Sequence, residues 1–519
     1  MSSRRRFLST GLKAAGGLLA CRADLSAEAQ SAKAEARPDI PFGTATGDVT
    51  RDRAIIWSRT DRPARMLVEW STTESMQNAR RVRGPRTTEA AGYTARVDLS
   101  GLPPGQRIFY RVHFEDLADS RNLSVPGGGT FLSAPQVARD VTFAWSADTV
   151  GQGWGINTAW GGLRMYETMR LARPDFFVHT GDTIYADSPV PPEIKLPDGT
   201  IWRNVVTDEK SKVAETLDEF RGNYTYNLLD DNVRRFNREI PQLWLWDDHE
   251  VKNNWYPGMS LDADERYKQK DSRVLAAHAR QAFLEYSPIR LAPGAVPPIY
   301  RSCAYGPLLE VFAIDLRTYR GPNTANRQAS PDAETMHAGA QQLAWLKRAL
   351  RSSTATWKVI ASDLPIGLVV RDGPAAFEAI ANADPGNPLG RELEIADLLR
   401  YIRHERIRNV VWITGDVHYA AAHHYDPQRA RFNDFDPFWE FVAGPLHAGT
   451  FGPNELDATF GPEVRFASVK PGALGNRPPS DGQQFFGLTR IAAATKVMTV
   501  ELRNLAGETI YTVNLEPAP

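Results

Sequence analysis

At 519 residues the chain can bury a large core, and 61 basic against 62 acidic side chains leave a formal charge of −1. That balance gives no basic face for wrapping nucleic acid or adhering to an anionic membrane, and no apolar run is long enough to span a bilayer. Two cysteines, Cys21 and Cys303, exclude a disulfide-built scaffold.

The amino terminus opens with Ser3-Arg4-Arg5-Arg6-Phe7-Leu8, continues through a weakly apolar stretch from Leu12 to Ala20, and reaches the small-x-small site Ala27-Glu28-Ala29. A basic start, an apolar middle and such a site predict an export signal over residues 1–29. The arginine pair with Phe-Leu after it resembles a twin-arginine signal, which delivers folded proteins to the twin-arginine (Tat) export machinery. The expected location is therefore the periplasm or the medium. Leu18-Leu19-Ala20-Cys21 loosely resembles a lipoprotein box, but Leu19 and the Arg22 after the cysteine favour cleavage over lipid anchoring at Cys21. Cleavage removes a net +3, takes the chain to −4, and leaves Cys303 without an intrachain partner.

From about residue 40 to 135 the pattern is β-like. Ala54–Ser58, Met66–Trp70 and Ile108–Phe114 are short β-branched or aromatic runs between turn residues. Leu102-Pro103-Pro104-Gly105 resembles the corner of fibronectin- or immunoglobulin-like sandwiches, where a tyrosine, here Tyr110, closes on the backbone. A small all-β sandwich domain is predicted there. From 140 to 519 strands and helices alternate. Strands are expected at Val141–Trp145, Asp175–Thr180, Leu308–Leu316, Trp357–Ser362 and Asn409–Thr414, and helices at Leu163–Leu171, Glu209–Asn237, Arg266–Tyr286, Ala340–Leu350 and Glu392–His404. The end, Val497–Leu502 and Ile510–Val513, reads as a hairpin. The fold class is layered α/β.

Three stretches carry the chemistry: Gly181-Asp182-Thr183-Ile184-Tyr185, Trp246-Asp247-Asp248-His249-Glu250 and Thr414-Gly415-Asp416-Val417-His418-Tyr419. Each follows an apolar run, the position at which open α/β sheets place their ligand crevices. Anions crowded in this way repel unless cations lie between them. Two cations about 3.5–4 Å apart also suit phosphate-ester hydrolysis, since they neutralise the phosphoryl oxygens and activate a water. Asp182 is the expected bridge, with Tyr185 on one ion beside Asp148 from the end of the first strand. Asp248, Asp416 and His418 complete the metal set. His249 is expected at the leaving oxygen as general acid, with Glu250 orienting it or ligating, and His418 also serves catalysis. Asp416 and His418 face the same way if strand geometry continues through them. Asp247 and Arg317 are expected around the centre, Arg317 either paired with Asp315 or anchoring phosphate. Trp154, Trp160 and Trp255 are candidate apolar walls, or core.

The set Gly-Asp-x-x-Tyr, Trp-Asp-Asp-His-Glu and Thr-Gly-Asp-Val-His, after a twin-arginine leader and a β domain, resembles the PhoD-type alkaline phosphatases of the calcineurin-like metallophosphoesterases, and Gly-Asp-x-x-Tyr is shared with purple acid phosphatases. The resemblance implies a four-layer αββα core and an exported hydrolase of phosphate monoesters or diesters, in which metal-bound hydroxide attacks phosphorus. It also implies Fe3+ held partly by tyrosine beside Ca2+, with Asp182 and Tyr185 as ligands, Asp248 and Asp416 serving the metal cluster, and His249 and His418 at the site. Many relatives have Cys where this chain has Asp148, so a thiolate ligand is absent; the histidine many carry between the second and third motifs is missing from Ala361-Ser362-Asp363-Leu364-Pro365. Alternatives are a phospholipase D-like diesterase with a tryptophan-lined rim, and a non-catalytic calcium-binding protein.

Overall fold

The computed structural model describes residues 37–292, 294, 297–473 and 475–518; the expected signal over residues 1–29, with Cys21, lies outside the described residues. Seven strands come first: β1 (Thr44–Gly47), β2 (Arg53–Arg59), β3 (Ala64–Ser71), β4 (Arg80–Arg86), β5 (Thr94–Ser100), β6 (Arg107–Asp116) and β7 (Gly127–Leu132). Four of them form a sheet in the order β4-β3-β6-β7. The other three, β1, β2 and β5, pair antiparallel with one another and join a larger sheet. Tyr110 does not close on the backbone as the corner motif predicts. Its hydroxyl bonds the Thr44 and Thr46 hydroxyls of β1, which lie within reach across the sandwich.

That larger sheet has nine strands. It adds β8 (Val141–Ser146), β9 (Phe176–Thr180), β12 (Gln242–Leu245), β22 (Phe485–Ile491), β23 (Met498–Asn504) and β24 (Thr509–Leu515), in the order β24-β23-β22-β8-β9-β12-β1-β2-β5. Gly47 of β1 pairs in parallel with Gln242 of β12, so the sheet is hydrogen-bonded from the amino-terminal strands into the central ones. Between β9 and β12 lies a small hairpin, β10 (Glu193–Lys195) and β11 (Ile201–Arg203). A second sheet of seven strands contains β13 (Arg301–Ala304), β14 (Leu309–Ala313), β15 (Trp357–Ala361), β18 (Val410–Thr414), β19 (Ala421–Tyr425), β20 (Phe438–Val442) and β21 (Pro462–Ala467), with β14, β15, β18 and β20 parallel. The two-residue strands β16 (Arg371–Asp372) and β17 (Ala376–Phe377) make another hairpin.

Side-chain alternation along these strands sets the layers. Phe143 and Trp145 of β8, Val311 of β14, Val359 of β15 and Val411 and Ile413 of β18 meet in one core between the two sheets. Their alternates turn outward. Ala144 and Phe177 pack under α1 (Arg164–Leu171), α2 (Leu217–Asn227), α3 (Asp231–Glu239) and α4 (Ser272–Tyr286). On the opposite side Phe312, Ile360 and Trp412 pack under α5 (Ala340–Ser352) and α6 (Glu392–His404). The result is the expected four-layer αββα core. The helix expected over Glu209–Asn237 is two helices. A Thr216–Glu219 capping box starts α2, and Asp230 caps α3. Asp271 caps α4, so that helix begins six residues after Arg266.

Candidate metal centre

The loops after β8, β9, β12, β14, β15 and β18 converge at one end of the two sheets, and each delivers an ionisable side chain. They supply Asp148, Asp182 with Tyr185, Asp247 to Glu250, Arg317, Asp363, and Asp416 with His418. Candidate donor atoms fall into three groups, each within 4.8 Å: Asp148 with Asp182 and His418; Asp182 with Asp248 and His249; Asp247 with Asp248 and Asp416. Asp182 belongs to two groups and Asp248 to two, so the groups form a connected row.

Backbone conformation puts them there. Asp148, Asp182, Asp416 and His418 all have left-handed φ, at 69°, 53°, 68° and 62°. Such residues persist only where surrounding structure holds them, and they concentrate at functional sites. Strand geometry does not continue through residues 416–418, because β18 ends at Thr414. The two side chains accordingly separate: Asp416 joins Asp247 and Asp248, whereas His418 reaches Asp148 and Tyr185. Gly181 allows close approach, since a Cβ there would lie 2.5 Å from Asp247 Cβ.

Tyr185 is fully buried, its ring 4.2 Å from that of His249, and its hydroxyl lies 2.8 Å from His418 Nε2. His418 Nδ1 donates to the Gly449 carbonyl at 2.5 Å, which leaves Nε2 as the lone-pair nitrogen facing Asp148 at 3.7 Å. Burial pushes His418 down to about 4, so the imidazole is neutral and suited to ligation.

Two expected partnerships are replaced by others. Glu250 does not orient His249. Its carboxylate accepts from the backbone N–H groups of Asp182, Thr183 and Asp247 at 3.2, 2.6 and 2.7 Å, clamping the first motif to the second. Asp187 orients the imidazole instead, with Oδ1 2.6 Å from His249 Nδ1 and Oδ2 accepting from Asn253 N. Asp187 was missed by sequence reasoning, since a single aspartate two residues past Tyr185 has no pattern of its own. Arg317 does not form a side-chain pair with Asp315, which accepts only its backbone N–H. Its guanidinium, 0% exposed, bonds Asp247 at 2.5 Å, Asp363 at 3.1 Å and Glu378, with Asp416 and Asp248 at 3.5 and 3.7 Å. It is a buried counter-charge to these carboxylates, and its Nη2 has no hydrogen-bond partner among the described residues.

The electrostatics match a cation site. Burial, then the charges of Asp248, Glu250 and Asp148, push Asp182 well above the usual carboxylate range against the pull of His249. Burial does the same to Asp148, Asp247 and Asp416, and lifts Glu250 to about 7. Both Asp148 oxygens and Asp247 Oδ2 are buried without a hydrogen-bond partner among the described residues. Buried unpaired carboxylates of this kind are costly. The all-anionic donor set with one neutral imidazole fits hard metal ions.

The sheets, the row of carboxylates at their carboxyl ends and the flanking histidines define the class: a metallophosphoesterase. Residues 143–502 match the family described as PhoD-like phosphatase, and residues 26–135 match the PhoD-like phosphatase N-terminal domain. The chain belongs to the PhoD-like phosphatase family. It is 27% identical over 484 residues to alkaline phosphatase D of Bacillus subtilis (strain 168), covering 87% of this chain and 77% of that one. A solved structure of PhoD superposes with a TM-score of 0.67 at 21% identity, covering 92% of this chain and 89% of the other. Purple acid phosphatase PPD1 from yellow lupin (Lupinus luteus) superposes at 0.56 with 13% identity, covering 92% and 74%.

Proposed function

We propose that the protein hydrolyses phosphate monoesters or diesters outside the cytoplasm, and that Asp182 bridges two metal ions. Asp148, Tyr185 and His418 would hold the first ion with Asp182. Asp248, with Asp416 and Asp247 close by, would hold the second or a small cluster. When bound, the ions supply positive charge for the phosphoryl oxygens and lower the pKa of a coordinated water. The phenolate of Tyr185 suits Fe3+, and the oxygen-rich second group suits Ca2+. Asp187 holds Nδ1 of His249, so its Nε2 can present a proton to the leaving oxygen; Glu250 fixes the spacing of the two motifs. The observation that carries this reading is the pair of unpartnered Asp148 oxygens beside the shared Asp182. The leader over residues 1–29 supports export by the twin-arginine route.

A phospholipase D-like role needs the tryptophans as an exposed rim. Trp154 and Trp255 are each 4% exposed and lie inside the loops, whereas Trp160, packed on Trp202, is half-buried. The phosphate-ester reading is tested by stripping the protein with a chelator, restoring iron and calcium singly and together, and following p-nitrophenyl phosphate and bis-p-nitrophenyl phosphate. Hydrolysis should vanish and return with metal; turnover indifferent to stripping rejects the proposal.

A further inference from the structure

Behind Arg317, three more basic side chains are buried and form no ion pair among the described residues; the charges nearest to Arg320 and Arg391, Glu378 among them, act only at longer range. Arg391 and His337 are 0% exposed and Arg320 is 3% exposed. Both guanidiniums donate to neutral oxygens. Arg391 Nη1 reaches the carbonyls of Phe377, Glu378 and Ala379 at 2.8, 3.1 and 3.1 Å, and Nη2 reaches Pro322 O at 2.7 Å and Asn323 Oδ1 at 3.1 Å. Arg320 Nη2 shares two of those acceptors, Asn323 Oδ1 at 2.7 Å and Glu378 O at 2.5 Å. The shared acceptors fix the two guanidiniums side by side. The Gly321 N–H bond to Met336 O, at 2.8 Å, brings the His337 segment against Arg320. Glu394 accepts from the backbone N–H groups of His337 and Ala338 at 3.1 and 2.8 Å, not from the His337 ring.

What is left over is specific. Arg320 Nε and Nη1, Arg391 Nε and both ring nitrogens of His337 have no hydrogen-bond partner among the described residues. Nearly all of these are donors; one nitrogen of a neutral imidazole is the single acceptor. A water accepts about two hydrogen bonds and must donate two more, so it answers such a set poorly. An anion accepts from several donors at once and would give two buried guanidiniums the direct ionic partner that they lack among the described residues.

We propose that Arg320, Arg391 and His337 form a buried site for one small inorganic anion of halide type, distinct from the metal centre. With none of the three side chains more than 3% exposed, the site would admit a small ion and not a phosphate ester. Glu378 connects the two sites, because its backbone oxygen accepts from Arg320 and Arg391 while its carboxylate pairs with Arg317, which faces Asp247, Asp248 and Asp416. The anion therefore anchors the counter-charge that holds the second metal group.

The test uses the full chain with its metals. Melting is followed at constant ionic strength as gluconate is exchanged for chloride or bromide, and crystals grown in sodium bromide are measured at the bromine absorption edge. A saturable rise in Tm with halide, and an anomalous peak bounded by Arg320, Arg391 and His337, are expected. His337→Leu removes a neutral donor while keeping both charges, and should raise the halide midpoint at least about tenfold; His337→Gln should restore part of it. Absence of an anomalous peak at those side chains in the wild-type crystal, with Tm indifferent to halide, overturns the proposal and leaves the position to water.

Discussion

Replacing Asp148 by Asn should change stability in opposite directions with and without metal. Both Asp148 oxygens are buried and unpartnered, and burial holds the carboxyl far above its ordinary range. In the stripped protein at pH 7 the carboxyl stays neutral, and holding its proton against an ordinary value of about 3.9 costs about 4 kcal/mol. An unsatisfied amide in the same place costs about 1–3 kcal/mol. The exchange therefore stabilises the metal-free chain by about 2 kcal/mol. At ~2.1 cal/mol/K per residue, the described residues 37–518 unfold with an entropy of about 1 kcal/mol/K, so the melting point should rise by about 2 °C. In the loaded protein the same change removes an anionic donor, so metal affinity should fall by about 100-fold or more and turnover with it. Scanning calorimetry on chelator-stripped and reconstituted samples, with metal analysis, measures both halves. An Asn variant that melts lower than the parent in both states refutes the argument, because Asp148 would then be stabilised by protein contacts alone.

Gly444→Ala should act on the same carboxylate from outside the motifs: a Cβ there would lie 2.2 Å from Asp148 Oδ2, so metal content should drop while far-ultraviolet dichroism is unchanged. Arg317→Met leaves Asp247, Asp363 and Glu378 without their shared cation and should cost about 3–5 kcal/mol in urea unfolding; Arg317→Lys should recover only part, lacking the planar fork. His249→Gln and Asp187→Asn should each lower kcat by about 10²–10⁴ on alkyl phosphates and much less on p-nitrophenyl phosphate, whose leaving group needs no proton; an equal loss on both substrates counts against a proton-donating His249. His447 bonds the Gly155 carbonyl at 3.0 Å, and burial lowers its pKa to about 4. A base depressed in the folded state contributes stability above its unfolded value, about 6.5, that is lost as pH falls toward 4. The loss is about 3 kcal/mol, and His447→Gln should flatten the stability profile over that window.

The three motifs were legible because four ionisable groups in succession after an apolar strand, as in Asp247 to Glu250, have few uses other than a shared site. The layers were legible because Val410–Thr414 and Trp357–Ala361 are short apolar runs between helical patterns. Partner choice was not. Glu250 and Asp187 are both carboxylates near His249 in the chain or the site, and the choice between them depends on where the backbone N–H groups of Asp182 and Thr183 point. Arg317 was legible as a charge at a strand end, but its role depends on Asp363 and Glu378, 46 and 61 residues away. The direction of Asp416 and His418 rested on extended backbone that the left-handed φ at both residues removes.

That change of backbone is what lets one motif reach two of the candidate metal-binding groups. In an extended strand, residues 416 and 418 would fall on one face about 7 Å apart, and both would approach the same group. With both in the left-handed region, Asp416 turns to Arg317 and Asp248 while His418 turns across Gly449 to Asp148. The same conformation at Asp148 and Asp182, just past the ends of the adjacent parallel strands β8 and β9, brings their carboxylates into one group with His418 from the other sheet. Strain of this kind is on the order of 1 kcal/mol or more per residue, and Glu250 and Arg317 supply the contacts that hold it. The metal-binding geometry is therefore stored in those two interior side chains as much as in the ligands themselves.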